Sequence, residues 1–295
     1  MTLHDPALRQ YGRAAMDFMV HLGRAAGRVR ATVDRDLSAA GVEADALPDD
    51  LDARAVAVEA ALVNSRAFAA QNLIADWHGR YHGPVATKAF DEIAETLSSE
   101  LERSLTGPAR LTLDPDFEPP AYWEGVDFHR TAGGWDAHPY QGYIHGEIIH
   151  KRMVGKLFPG GIFKQRRDVA ALAPRAWYER ILDLGCSSGH FTTALAETYP
   201  DAQITGVDPS PRMLEHALRT ANTHGWSWDL YQRAAEATGF EDAMFDLVAS
   251  YILLHEVPAE ALPAIFQEAH RVLVPGGDLV MSDVNRFANV DKLTG

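Results

Sequence analysis

The chain has 295 residues, 27 Lys+Arg against 41 Asp+Glu, and a formal charge of −14 with its histidines neutral. Hydrophobic residues at 46% and charged residues at 23% supply a core for one large or two modest domains and exclude wholesale disorder. The acidic balance argues against a nucleic-acid partner, since displacing phosphate counterions needs a basic footprint and the only dense basic cluster is Lys164, Arg166 and Arg167, which reads as a solvated helix face.

From residue 6 to about 106, apolar residues recur at steps of three and four, which predicts helices. A first run carries Leu8, Tyr11, Ala15, Phe18, Leu22 and Ala25; a second carries Leu51, Ala55, Val58, Leu62, Ala69 and Leu73; a third carries Phe90, Ile93, Leu97, Leu101 and Leu105. Breaks are expected over 34–50 and at Gly83-Pro84. Residues 1–122 are thus expected to form an α-helical N-terminal domain, which offers a surface for a homodimer. Prolines and glycines punctuate 107–135, which reads as an ordered crossing loop.

Next comes a run dense in imidazoles and phenols, Trp135-Asp-Ala-His-Pro-Tyr-Gln-Gly-Tyr-Ile-His-Gly-Glu-Ile-Ile-His150. Within a cap and linker over 123–175, His138, Tyr140, Tyr143 and His145 form either a lid over a substrate or an aromatic seam between the helical part and the C-terminal part of the chain. His145 and His150, with Glu147 between them, are five apart and miss the i, i+4 spacing of a helical zinc pair, so no metal is expected there.

From about residue 176 the pattern alternates. Strands are predicted at 180–184, 202–207, 246–253 and 278–284, with helices at 191–199, 211–223 and 259–273 between them. Alternation of this kind means a parallel sheet covered on both faces, an α/β fold with a doubly wound, mostly parallel Rossmann-like sheet over 176–295. The first strand runs into Asp183-Leu-Gly185-Cys-Ser187-Ser-Gly189 and then a helix, which is the ligand edge of such a sheet. Asp208 ends the second strand, where a carboxylate can accept both hydroxyls of a ribose.

A dinucleotide fingerprint would place glycines at 185, 187 and 190, but the chain has Gly185, Ser187 and His190, which opposes a nicotinamide dehydrogenase. An acid followed by glycines at the first, third and fifth places of the turn finds Asp183, Gly185 and Gly189, with Ser187 in the middle. This resembles the first motif of the class I S-adenosylmethionine-dependent methyltransferases. Gly206-Val-Asp208-Pro-Ser-Pro-Arg-Met-Leu resembles the second motif, Ala235-Glu236 with Phe240 and Phe245-Asp246 the adenine-flanking loop and fourth strand, and Leu273-Val-Pro275-Gly276-Gly277 the turn into the fifth.

The resemblance covers about a third of the chain and implies S-adenosyl-L-methionine as cofactor. It implies cofactor contacts from Asp183 (to the methionine amino group, a strand-end cap being the alternative), Gly185, Cys186, Ser187, Gly189, Asp208, Pro209, Met213, Ala235 and Glu236. Ser187 is expected to be tolerated with negative φ, and Cys186 to pack beneath the cofactor instead of acting as a nucleophile. Ala234 stands where many relatives have an adenine-binding acid, which leaves that contact to backbone near Ala235 or to Glu236. His255, after the fourth strand, is either a general base or a surface histidine; Tyr143 and His145 are further catalytic candidates.

The family adds a helix and two strands after its fifth strand, whereas residues 285–295 are all that remain here. That points either to a longer parent protein or to coverage of the edge by the N-terminal stretch. The function implied is transfer of a methyl group to a small-molecule acceptor, O- or C-methylation being favoured, in the branch that includes quinone-ring methyltransferases. A noncatalytic module that binds S-adenosylmethionine or its product and acts through the helical domain is the alternative. A single cysteine, the absence of a basic-then-apolar opening, and a longest uncharged apolar stretch (247–254) far below the roughly 20 residues of a membrane helix point to a cytoplasmic protein without a membrane partner.

Overall fold

A computed structural model describes residues 5–43, 46–156 and 158–284. Its centre is a six-stranded, all-parallel sheet in the order β1-β4-β3-β2-β5-β6. The strands are β1 (Arg110–Thr112), β2 (Arg180–Leu184), β3 (Gln203–Asp208), β4 (Asp229–Gln232), β5 (Phe245–Tyr251) and β6 (Leu273–Ser282). Alternation of side chains along the strands divides the apolar residues between two faces. Ile181, Ile204, Leu247 and Ala249 pack under α6 (Gly161–Ala170), α7 (His190–Thr198) and α8 (Pro211–His224). Leu182, Leu184, Val207 and Val248 pack under α9 (Leu262–Val272).

Two strands escape the sequence pattern. β4 has one fully buried apolar residue, Leu230, and β1 has three residues in all, too little alternation to register. β1 also corrects an expectation about the sheet edge. The N-terminal stretch does supply a strand, but it pairs with β4, at the opposite edge from β6. Among the described residues no strand pairs with the outer edge of β6, and residues 285–295 lie outside the described residues.

The helical part comprises α1 (Gln10–Ala39), α2 (Leu51–Ala61), α3 (Arg66–Asp91) and α4 (Ala94–Arg103). The second apolar run is in fact two helices, divided where the Ser65 hydroxyl accepts from the Phe68 N–H to cap α3, and Leu51 and Leu73 are exposed. Nor does Gly83-Pro84 break the chain. Pro84 lies inside α3, and buried His82, Gly83, Ala86, Ala89 and Phe90 on either side lock that turn into the core, so tertiary packing overrides the local breaker.

The core of the helical part is Met16, Met19 and Val20 of α1, Phe90 of α3, Leu97 and Leu101 of α4, and a segment from the aromatic run. That segment, α5 (Gln141–Tyr143), continues into a π-helix, Ile144–Met153, a winding that is rare at such length. It docks directly on α8, which only small residues permit: a Cβ on Gly142 would lie 2.3 Å from the Arg212 carbonyl oxygen, and one on Gly146 would crowd the Ser188 hydroxyl and the His216 ring. Arg219 Nε donates to the Leu101 carbonyl and Asn222 Nδ2 to that of Ser104, fastening α8 to the end of α4. The helical part also reaches the carboxyl edge of the sheet, where His78 and His82 of α3 line a cavity together with Gly185 and Asp208.

Candidate functional site

At that edge the turn after β2 is folded back on β3: the N–H groups of Gly185 and Cys186 both donate to the Val207 carbonyl. Gly185 and Gly189 have φ of +70° and +84°, and a Cβ on either would strike Leu253 or Trp228 and Ala217 respectively. Ser187 departs from expectation, because its φ is +48°, in the left-handed region that disfavours side chains. Its N–H donates to Asp208 Oδ2 at 2.9 Å, so the strained turn is fixed to the acid of the next strand. Relief of the strain, of about 1–2 kcal/mol, outweighs the added entropy of an unfolded glycine, about 0.4–1 kcal/mol. Ser187→Gly is therefore expected to raise stability by about 0.5 kcal/mol in urea unfolding; a loss of that size would show that the serine side chain contributes contacts not offset by the backbone.

Asp208 is buried, with Oδ1 accepting from the Ser210 N–H and Oδ2 from that of Ser187. Burial outweighs these two bonds and pushes its carboxyl up to about 7. Asp183, also buried, is pushed up to about 7 by the same cause, although Thr192 Oγ1 donates to its Oδ2 at 2.7 Å. Its Oδ1 has no hydrogen-bond partner among the described residues. Cys186 is buried, and burial holds its thiol well above the ordinary value, protonated and inert.

A cavity of about 490 Å³ extends from this turn to the helical part. Gly185, Cys186, Ser187, Asp208, Pro209 and Met213 line one end, with Ala235 and Glu236 beyond. Glu236 is not free there: Tyr122, from the loop after β1, donates to its Oε1 at 2.6 Å. Gly189 lies behind the turn as the cap of α7. Trp135, His145, His150, Arg166, His190 and Tyr251 line it as well.

Tyr143, expected as a catalytic candidate, is not among the cavity's lining residues. It is fully buried against Phe90 and His216 in the helical core, because it precedes the part of the helix that faces the cavity. His145 does line the cavity, and burial holds it down to about 3, a neutral imidazole edge-on to Trp135. The five-residue step from His145 to His150, unhelpful in an α-helix, becomes one turn of a π-helix, and the two rings lie 4.0 Å apart. Glu147 points the other way, to His216 and Lys151.

His255 also lines the cavity, but both its ring nitrogens face carboxylates: Nδ1 is 2.7 Å from Asp283 Oδ1, and Nε2 is 3.0 Å from Glu256 Oε1. The Glu256 contact, with Asp283 adding to it, raises its pKa. Both ring nitrogens are therefore engaged by carboxylates in this arrangement.

Sequence reasoning misplaced Arg166. In α6 the side chains of Ile162, Arg166 and Ala170, four apart, are all buried, while Lys164 is exposed and pairs with Asp168. Arg166 stacks over the Tyr251 ring at 4.6 Å, donates through one terminal nitrogen to the Ile162 carbonyl, and leaves Nε without a partner among the described residues. Its place in an i, i+4 row between two apolar residues was the signal that it faces inward.

Residues 181–277 match the family model described as a methyltransferase domain. The match falls on the parallel sheet and on the glycine turn linked to Asp208, so residues 181–277 are similar to a class I methyltransferase domain. A malonyl-[acyl-carrier protein] O-methyltransferase from Legionella pneumophila is 35% identical over 136 residues, covering 45% of this chain and 43% of that protein. A trans-aconitate 2-methyltransferase from Streptomyces coelicolor is 38% identical over 109 residues, 37% of this chain and 35% of its own. A ubiquinone/menaquinone biosynthesis C-methyltransferase from Desulfotalea psychrophila is 34% identical over 118 residues, 40% of this chain and 46% of its own.

The matches thus span less than half the length of each of these relatives, and the helical part lies outside the family match. The cofactor of this domain class is S-adenosyl-L-methionine, and the residues fit it. Asp208 offers a carboxylate at the cavity wall for ribose hydroxyls, and the orphaned Oδ1 of Asp183 is an acceptor suited to the methionine ammonium. No helix among the described residues is long and apolar enough to cross a membrane.

Proposed function

We propose that the chain transfers the methyl group of S-adenosylmethionine to a small organic acid. The observation that carries this reading is one cavity lined both by Asp208 and by the buried guanidinium of Arg166, which pairs with no carboxylate among the described residues. When bound, the cofactor supplies a methyl group already activated by the sulfonium charge, so the protein's task is positioning. A buried cation without an anionic partner is costly, and an acceptor carboxylate meets that need while being fixed by it. Two of the three relatives are named for malonyl and aconitate acceptors, which supports an acid.

His145, His150 and His190 line the cavity as uncharged rings, burial holding all three below their ordinary pKa. Their nitrogens can accept from an acceptor hydroxyl and orient it. The aromatic segment and the helical part exclude water above the site. Such a site leaves both oxygen and carbon methylation open and gives the 123–175 segment the role of a cap.

Formation of S-adenosylhomocysteine from S-adenosylmethionine, measured over a panel of aromatic and aliphatic carboxylic acids and their neutral amides, tests the reading. Turnover is expected with acids and not with the matching amides. Tight S-adenosylhomocysteine binding without turnover on any acid would replace this reading with that of a cofactor-binding module.

A further inference from the structure

The cap and the domain meet at one more cluster, His129, His255 and Glu256. His129 comes from the loop before the aromatic run, and the other two from the turn after β5. One ligand atom from each lies within 4.8 Å of the others, and among the described residues no other group of three or more histidine, cysteine or acidic side chains converges in this way. We propose that these three side chains form a site for a divalent transition-metal ion at the mouth of the cavity.

The distances suit a coordination sphere. Glu256 Oε1 is 2.6 Å from His129 Nε2 and 3.0 Å from His255 Nε2. Ligands bound at about 2.0–2.2 Å to one ion stand roughly 3 Å apart along an edge of its polyhedron, so small side-chain rotations admit the ion between them. The support around the ligands is that of a metal site. Asp283 Oδ1 fixes Nδ1 of His255 at 2.7 Å, which turns Nε2 toward Glu256, and Asp283 Oδ2 is itself held by the Leu254 N–H at 2.6 Å. A carboxylate behind a histidine in this way sets the tautomer and orientation of a metal-binding ring.

The His129 ring is placed by packing against Trp135 and His255. Two imidazoles and a carboxylate suit iron(II), manganese, cobalt or zinc in preference to calcium or magnesium, and three protein ligands leave positions open. All three residues line the cavity that Arg166 enters, so the open positions face the space assigned to the acceptor. An ion there would bind an acceptor oxygen and join the cap to the domain through His129. The site itself stands on these distances and does not require the methyl-transfer reading.

The test is titration of cobalt(II) into the full chain after treatment with EDTA, followed by visible absorbance and calorimetry, with zinc as competitor. One ion per chain is expected, with a dissociation constant of about 10 μM or tighter, weakened at least about 30-fold by Glu256→Gln and by His129→Ala; loss of a ligand commonly costs more than the 10–100-fold seen for outer-shell changes. Both substitutions are at the cavity mouth, and circular dichroism confirms that each variant is folded. His21→Ala, an exposed histidine on α1, is the control and leaves binding unchanged. No binding tighter than about 100 μM by the folded wild-type chain, or binding that survives both substitutions, overturns the site. A parallel titration with S-adenosylhomocysteine separates the two readings: cofactor binding without cobalt binding removes the metal site alone, and cobalt binding without cofactor binding removes the methyl-transfer reading alone.

Discussion

Asp208→Ala is expected to weaken S-adenosylhomocysteine binding by about 100-fold or more. Hydrogen bonds to a charged group contribute about 1.5–3 kcal/mol each, so losing two from the ribose costs at least ~3 kcal/mol, which is a factor of more than 100. The two backbone N–H donors from Ser187 and Ser210 also lose their acceptor, which loosens the glycine turn that carries the rest of the cofactor end. The carboxyl is raised to about 7 in the free protein, burial being the main cause, whereas ribose hydroxyls donate to its ionised form.

Binding near pH 6.5 is therefore expected to release protons, and to tighten as pH rises from 6 to 8. Calorimetry in buffers of different ionisation enthalpy reads the release directly. Asp183, raised to about 7 by burial and with an unpartnered Oδ1 suited to the ligand ammonium, is expected to add to it, so the alanine variant should retain part of the effect. For stability of the free protein the sign is the reverse of the usual acid case. A folded-state carboxyl raised above its unfolded value of about 3.9 favours folding fully only below that value, and its contribution is lost as pH rises through about 7. The thermal shift produced by S-adenosylhomocysteine should then be larger at pH 8 than at pH 6. An affinity for the ligand that is level across that range would mean that neither acid changes charge on binding.

The glycine turn and its link to Asp208 were legible in sequence because their geometry is local. Gly185, Gly189 and Asp208 are set by a strand, a turn that needs positive φ, and the end of the next strand, and these occur in fixed order along the chain. The imidazole and aromatic lining of the cavity was not, because no local rule governs it. His145 and His150 come together only through a π-helix, a winding that periodicity at 3.6 residues does not anticipate. Tyr143 was drawn into the candidate site by its neighbours in sequence, while packing against Phe90 and His216 places it in the helical core. His129 belongs to a proline- and glycine-punctuated loop with no pattern to mark it, and it meets Glu256, 127 residues further on, only in the folded chain. Where identity depends on which surfaces meet, composition and spacing carry little information.

Arg166→Met is expected to stabilise the chain and weaken its use of acidic acceptors. The guanidinium is 7% exposed, and burial lowers its pKa from the ordinary value; Asp183 favours its charged form without forming an ion pair. Its stacking on Tyr251 returns about 2 kcal/mol, less than the several kcal/mol that a buried ion costs when no opposite charge meets it. Methionine fills a comparable length beside Ile162 and Tyr251 without that penalty, so unfolding in urea should show a gain of about 1–3 kcal/mol. The same substitution removes the cation that the cavity offers, and loss of a buried charged hydrogen-bond pair costs about 2–5 kcal/mol of affinity, or a rise in KM for acids of at least about 30-fold. Arg166→Lys separates charge from shape: it keeps a cation but not the paired donors of a guanidinium, and it should retain part of the affinity with none of the gain in stability. A methionine variant that is less stable than the wild type and methylates acids as well as it does would assign Arg166 to packing and leave the acceptor's charge to be read from another residue.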